Sequence, residues 1–364
     1  MGNKDLYKYL IKDEVRYLQR RADVVDNPSA YLRFDVNERI CPFNKKLLNE
    51  LKNSITDKHL SSYPDLTETY KKLSKFLKVK QEEIFLTSGS DLPIKSIYES
   101  CIGKGDSVVM PSPCYAMSQV YALMFGAIVK TVRIKNNWEF DIEKMLSSID
   151  GNTKLFILES PSGTTGMTVP DEEVMNAAKY LLSRNIILLI DEAYLYKNER
   201  KLSVSEIINK YPNIIISKSL SKTGGLAGLR IGYLIGNSGL MKYISKVRPM
   251  HEITSFSALA FCWVMDNPLI IDEYLQHLED SKKYLKKNLD RFDIEVKNTC
   301  ANFMLLHFND DKIKDTICEL KDREKILLKT PFKEKPLKGW MRLTVGTTDQ
   351  SKKIISIIER HYGK

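Results

Sequence analysis

Short, uninterrupted apolar runs recur along the chain. Glu83–Thr87, Asp106–Met110, Lys154–Leu158, Asn185–Ile190, Asn213–Ser217 and Arg230–Ile235 are rich in Val, Ile, Leu and Phe, and small or polar residues follow each of them. Runs of this length suit strands buried on both faces of a mostly parallel sheet. Helical patterns lie between them, such as Asp171–Ser183, where Val174, Ala177, Ala178, Leu181 and Leu182 are spaced for one face. Alternating strand and helix signals predict an α/β doubly wound large domain over residues 60–245.

The texture changes after residue 246. A long helical pattern, Asn267–Leu289, gives way to extended runs at Phe292–Val296, Asn302–Leu306 and Trp340–Val345, then to a last helix over Ser351–His361. This predicts a linking helix and a smaller α+β domain over residues 246–364. Residues 1–59 combine helical material with an extended piece around Tyr31–Pro42, as an N-terminal arm or part of that smaller domain.

Composition narrows the function classes. With 43% hydrophobic and 9% aromatic residues, the chain has ample material for a core, which excludes disorder as its main state. The formal charge of +10 is spread along the chain, and clusters such as Lys282-Lys283 with Lys286-Lys287 have the spacing of a solvated helix face. No basic run interleaved with aromatics suggests nucleic-acid binding. The six cysteines and five histidines are scattered without metal-ligand spacing, so no metal site is expected and the thiols read as reduced. The N-terminus lacks a signal-peptide apolar region, and polar residues and prolines break the charge-free stretch Ser107–Val129. A cytoplasmic protein is expected.

Ligands of open α/β sheets bind beyond the carboxyl ends of the strands, so the residues after each run are the candidates for chemistry. Ser88-Gly89-Ser90-Asp91 leads into a helix pattern and reads either as an anion cradle at a helix N-terminus or as a simple cap. Asp191-Glu192-Ala193-Tyr194 puts a carboxylate at a buried strand end, where it needs a partner. Ser219-Leu220-Ser221-Lys222, followed by a Gly-rich turn and Arg230, could bind a phosphate while Lys222 acts as a nucleophile. A phosphate cradle, an acid for a ring nitrogen, a phenol and an imine-forming lysine are together what pyridoxal phosphate needs.

These motifs resemble fold-type I, class I/II aminotransferases, nearest the histidinol-phosphate aminotransferase and threonine-phosphate decarboxylase branch. The resemblance runs from about Tyr31 to Lys364 and is most specific over Ser219–Lys222 and Ala227–Arg230, supported by Asp191–Tyr194. It implies the pyridoxal-phosphate transferase fold, a mostly parallel sheet in a large domain beside a smaller α+β domain. Lys222 would carry the cofactor, Asp191 pair with its ring nitrogen, and Tyr194 bond its ring hydroxyl. Tyr115 would stack on the ring, and Ser90, Asp91, Ser219, Ser221 and Arg230 would bind the phosphate. Tyr63 would reach the phosphate of a neighbouring subunit, which implies a homodimer. Arg342 would grip the substrate carboxylate, with Asn37 and Lys329 also at the substrate.

Two departures stand out. Gly163, in Pro161-Ser162-Gly163-Thr164-Thr165-Gly166, occupies the place of an Asn that bonds the ring hydroxyl, so one donor is lost unless Ser162 or a water replaces it. Lys329 stands where an Arg is common and loses bidentate geometry. The expected activity is transfer of an amino group between L-glutamate and a small, phosphorylated oxo substrate. Decarboxylation of a phosphorylated amino acid is the alternative, and a non-catalytic regulator on the same scaffold is a third reading.

Overall fold

The computed structural model describes residues 10–18, 27–89, 91–195, 202–292, 294–308 and 312–363. Its strands, in chain order, are β1 (Leu32–Arg33), β2 (Ile84–Ser88), β3 (Ser107–Ser112), β4 (Ile128–Arg133), β5 (Thr153–Glu159) and β6 (Ile187–Asp191), then β7 (Ile214–Ser219), β8 (Ile231–Gly236), β9 (Glu295–Lys297), β10 (Phe303–His307), β11 (Ile326–Leu327) and β12 (Trp340–Thr344).

Seven of these form one sheet in the order β2-β8-β7-β6-β5-β3-β4. β8 is antiparallel to both neighbours, and every other pairing in the sheet is parallel. Strand alternation explains why the apolar runs are continuous. Phe156, Leu158, Leu188, Ile190, Ile214 and Ile216 pack into one core cluster. The intervening Leu155, Ile157, Leu189 and Ile215 pack into another, on the opposite face. Both faces are covered by apolar side chains, which is why these strands carry few polar positions.

The sequence pattern located six of the seven strands and missed β4. That strand lies at a sheet edge and is thinly covered: Ile128, Thr131 and Arg133 are exposed and only Val132 is buried, so its apolar residues are interrupted by polar ones and form no continuous run. The predicted ends were also one or two residues short at the carboxyl side. β5 continues to Glu159, β6 to Asp191 and β7 to Ser219, so the polar residues read as following the strands are their last members.

A second sheet, β12-β10-β9, is antiparallel, and β1 pairs in parallel with β11. Helices Leu269–Leu289 and Thr348–Tyr362 pack Leu278, Leu285, Ile354 and Ile358 with Met304, Leu306 and Leu343 of these strands. Helix Ser255–Asp266 sends Phe261 and Val264 into the same cluster as the central sheet. β10 joins the two regions: Phe303 and Leu305 face that cluster, and Met304 and Leu306 face the smaller core.

Candidate active site

The carboxyl ends of β5, β6 and β7 converge with the turn that carries Lys222. Glu159, Asp191 and Ser217 are neighbours in register across the three strands. Lys222 lies just past β7 and is partly buried, its Nζ donating to the Val36 carbonyl at 3.2 Å. Burial first, then the nearby Arg342 guanidinium, brings its ammonium down to about 8. A lysine in that state presents a substantial fraction of neutral amine near neutral pH.

Asp191 accepts from the Ala193 N–H at 3.0 Å. Burial, with the Glu159 charge the next contribution, pushes its carboxyl up to about 7. Tyr194 receives a hydrogen bond on its hydroxyl from Asn37 Nδ2 at 3.0 Å, and its ring meets Phe303 edge-on. Burial raises the Tyr194 phenol, an effect opposed by Arg342 and by the Asn37 bond. The departure at Gly163 has a steric counterpart here. A Cβ built at residue 163 would lie 3.0 Å from Tyr194 Cε2, so the bare backbone leaves room for the ring. Ser162 does not supply the missing donor. It is fully buried, its hydroxyl donates to Glu159 Oε2, and it accepts from the Thr164 and Thr165 N–H groups.

The phosphate-type residues gather where β7, β8 and β2 lie side by side. Ser219 pairs with Gly232, which pairs with Thr87. Ser219 and Ser221 are buried and joined through their hydroxyls at 2.9 Å. Gly89 adopts φ +80°, and a Cβ there would come within 2.1 Å of Arg230 Nη2, so the guanidinium lies directly over the bare turn that opens helix Asp91–Cys101. The first N–H groups of that helix have no intrahelical partner. Asp91 itself turns its carboxylate to the Tyr115 hydroxyl, which leaves its N–H, and not its side chain, as what it offers an anion. Ser90 lies outside the described residues. Tyr115 caps helix Ala116–Met124 and is 37% exposed, so its ring is accessible beside this cradle.

On the opposite wall, Arg342 of β12 donates from Nη1 to the Gly163 carbonyl at 2.7 Å and from Nη2 to the Asp35 carbonyl at 3.4 Å. Its Nε is buried with no hydrogen-bond partner. Among the described residues no carboxylate forms an ion pair with it. Asn37 is fully buried with φ +56°, and Thr344 Oγ1 donates to its Oδ1 at 3.1 Å. Its amide therefore holds Tyr194 in place. Lys329 follows β11, beside the segment that carries Asp35 and Asn37, and is partly exposed. Tyr63 is 82% exposed and stacks on His251, with ring centroids 4.2 Å apart.

Three residues of this constellation escaped the sequence reading. Asn302 is fully buried and donates to the carbonyls of Asn37 and Lys222 and to the Tyr274 hydroxyl. Thr344 binds both the N–H and the side chain of Asn37. Glu159 was legible by the rule that found Asp191, a carboxylate at the end of a buried run, but Asn302 and Thr344 have no local signal.

The donors fit an anionic ring cofactor. The Arg230 guanidinium over the bare Gly89 turn, the Ser221 hydroxyl, which accepts from Ser219, and the unpartnered Nε of Arg342 are available as donors, beside an amine and a ring-sized wall of Tyr115 and Tyr194. Comparison with known proteins gives the same picture. A histidinol-phosphate aminotransferase of Thermoanaerobacter sp. is 28% identical over 354 residues, covering 95% of this chain and 97% of the relative. The corresponding enzyme of Sulfurisphaera tokodaii is 28% identical over 323 residues, covering 88% and 87%. The solved histidinol-phosphate aminotransferase of Sinorhizobium meliloti, in complex with pyridoxal-5'-phosphate, superposes with a TM-score of 0.85 at 19% identity, covering 97% of each chain, and so shares the fold. The model of the aminotransferase class I and II family matches residues 30–358, and the chain belongs to that family.

Proposed function

We propose that this protein is a pyridoxal-phosphate-dependent aminotransferase that moves an amino group from L-glutamate to a small, phosphorylated oxo substrate. The observation that carries the reading is the placement of Arg342: a largely buried guanidinium with an unpartnered Nε, unpaired with any carboxylate among the described residues and close enough to depress the Lys222 ammonium. Such a group calls for an anionic ligand beside the reactive amine.

When bound, pyridoxal phosphate supplies an electron sink for charge that develops at a substrate's α-carbon. Lys222 would hold it covalently. Asp191 would keep its ring nitrogen protonated, and Tyr194, oriented by Asn37, would bond the ring hydroxyl. Ser219, Ser221, Arg230 and the N–H groups opening helix Asp91–Cys101 would hold the phosphate, with Ser90 in the same turn. Arg342 would orient the substrate carboxylate, leaving Lys222 to take up and return the α-proton. With its ammonium lowered to about 8, Lys222 is suited to that exchange near neutral pH. Lys329 adds a positive charge on the side where a second anionic group of the substrate enters.

A homodimer is part of this proposal. Tyr63, Met250 and Leu60 are 82%, 90% and 77% exposed, and this exposed apolar surface supports the proposed contact in which Tyr63 would serve a neighbouring subunit. The proposed units are the arm over 1–59, the cofactor-binding unit over 60–245 and the linking helix with the smaller unit over 246–364. Among the described residues no helix is long and apolar enough to cross a membrane.

The test is the visible spectrum of the purified holoenzyme on adding L-glutamate. Conversion of the band, with one equivalent of 2-oxoglutarate formed and no carbon dioxide released, is expected. An unchanged band with glutamate, but carbon dioxide released from a phosphorylated amino acid, would replace transamination by decarboxylation.

A further inference from the structure

Glu159 is a charged residue that the proposed mechanism leaves unused, and its surroundings are unusual. It ends β5 at 2% exposure and sits beside Asp191 in register. Ile157 and Leu189, two residues earlier on each strand, belong to the same core cluster, so alternation sends Glu159 and Asp191 to the same face of the sheet. Three donors meet the Glu159 carboxylate: the Tyr115 N–H at Oε1, and the Gly163 N–H at 3.2 Å and the Ser162 hydroxyl at 3.3 Å at Oε2. A carboxylate that meets only donors is matched to its ionised form. Among the described residues no lysine or arginine forms an ion pair with it.

We propose that Glu159 is a positioning residue for the cofactor: it ties Tyr115 and the Ser162–Gly163 turn to the sheet, and places a second negative charge beside Asp191, so that a ring nitrogen held there faces two carboxylates. The inference rests on the cofactor assignment made above. Each of its three bonds leads to a wall of the site. The Tyr115 N–H fixes the residue that presents the accessible ring. Gly163 lies against Tyr194, and its carbonyl holds Arg342. One buried carboxylate thus sets the relative positions of the ring-stacking, hydroxyl-binding and carboxylate-binding groups.

The other charges around this pair do not cancel it. Glu192 is engaged with Lys218 at 2.8 Å, Asp91 bonds the Tyr115 hydroxyl, and Arg342 binds carbonyls. Lys222 donates to the Val36 carbonyl, Arg230 lies over Gly89, and Tyr115 and Tyr194 are neutral phenols whose ionisation burial disfavours. Burial also raises Glu159 itself, and after burial its charge is the largest influence raising Asp191. A net negative pair favours protonation of a cofactor bound against it.

The experiment compares holoenzyme of the wild type, Glu159→Gln and Glu159→Asp by pH titration of the visible band and by equilibrium binding of pyridoxal phosphate to the apoproteins. Removing the charge lowers the pH at which the band is half converted by about one unit and weakens cofactor binding about tenfold. Glu159→Asp keeps the charge and restores the midpoint toward the wild-type value. A wild-type midpoint in Glu159→Gln overturns the electrostatic role, even if the variant is less stable to heat. A Glu159→Asp midpoint that moves as far as that of Glu159→Gln overturns it as well. A wild-type protein that forms no visible band with pyridoxal phosphate rejects the cofactor assignment instead, so the two failures are distinguishable.

Discussion

The two walls of the site are built in opposite ways. On the central sheet, Glu159, Asp191, Ser219 and Lys222 each end or follow a strand whose neighbours are apolar on both faces, and the parallel order of those strands brings their carboxyl ends together. On the opposite side, Arg342 and Thr344 lie within β12, Asn302 just before β10, and Asn37 in an irregular segment after β1. There the site is assembled by a few hydrogen bonds between residues far apart in sequence, such as those of Thr344 and of Asn302 with Asn37. The first wall is a consequence of topology, whereas the second depends on individual buried polar contacts and is the more fragile.

Breaking the second wall at its functional tip has the largest expected effect. Arg342→Leu removes the charge-assisted contacts proposed for the substrate carboxylate, and kcat/KM for the amino donor falls about 100- to 1000-fold. Cofactor affinity stays within about threefold of wild type, which steady-state kinetics and a binding titration read separately. Equal losses in both would erase the distinction between the walls.

Asn302→Ala strikes the same wall at its support. It strands the carbonyl of Asn37 and the Tyr274 hydroxyl in a dry interior and lowers stability by about 2 kcal/mol, measured by urea unfolding. A loss below about 0.5 kcal/mol would contradict the fragile assembly described above.

How much of each wall was legible follows from the same contrast. Buried parallel strands announce themselves as apolar runs, so Asp191, Ser219 and Lys222 could be found by looking just past them. β4 was missed because it is thinly covered at its edge, with Val132 its single buried residue and Lys130 and Thr131 breaking the apolar run. Arg342 was found through its motif resemblance alone, since nothing in the local pattern of β12 separates a functional arginine from a surface one. Asn302 and Thr344 carry no signal at all: their importance lies in contacts across 265 and 307 residues of chain. That Gly163 leaves room for the Tyr194 ring was likewise unreadable, because the reason is the position of that ring.

The topological wall is sharpened by pH. Because burial and Arg342 lower the Lys222 ammonium to about 8, its neutral, nucleophilic fraction rises with pH through that value and levels off about one unit above it. Attachment of pyridoxal phosphate to apoprotein, followed by absorbance, is expected to speed up ~10-fold between about pH 7 and 9 and then plateau. A rate that keeps climbing past about pH 10 would mean an unperturbed lysine. The smallest effect is expected from Gly163→Ala. The added methyl meets Tyr194 Cε2 at 3.0 Å and displaces the ring slightly, lowering kcat about threefold with little change in KM.

On the proposed reading, the carboxyl edge of the sheet is a covalent cofactor site centred on Lys222. Borohydride reduction of the holoenzyme, followed by proteolysis and mass spectrometry, tests it directly. One phosphopyridoxyl group per chain is expected, on the peptide containing Lys222. Label spread over other lysines, or absent from Lys222 in a protein that retains its visible band, would contradict it.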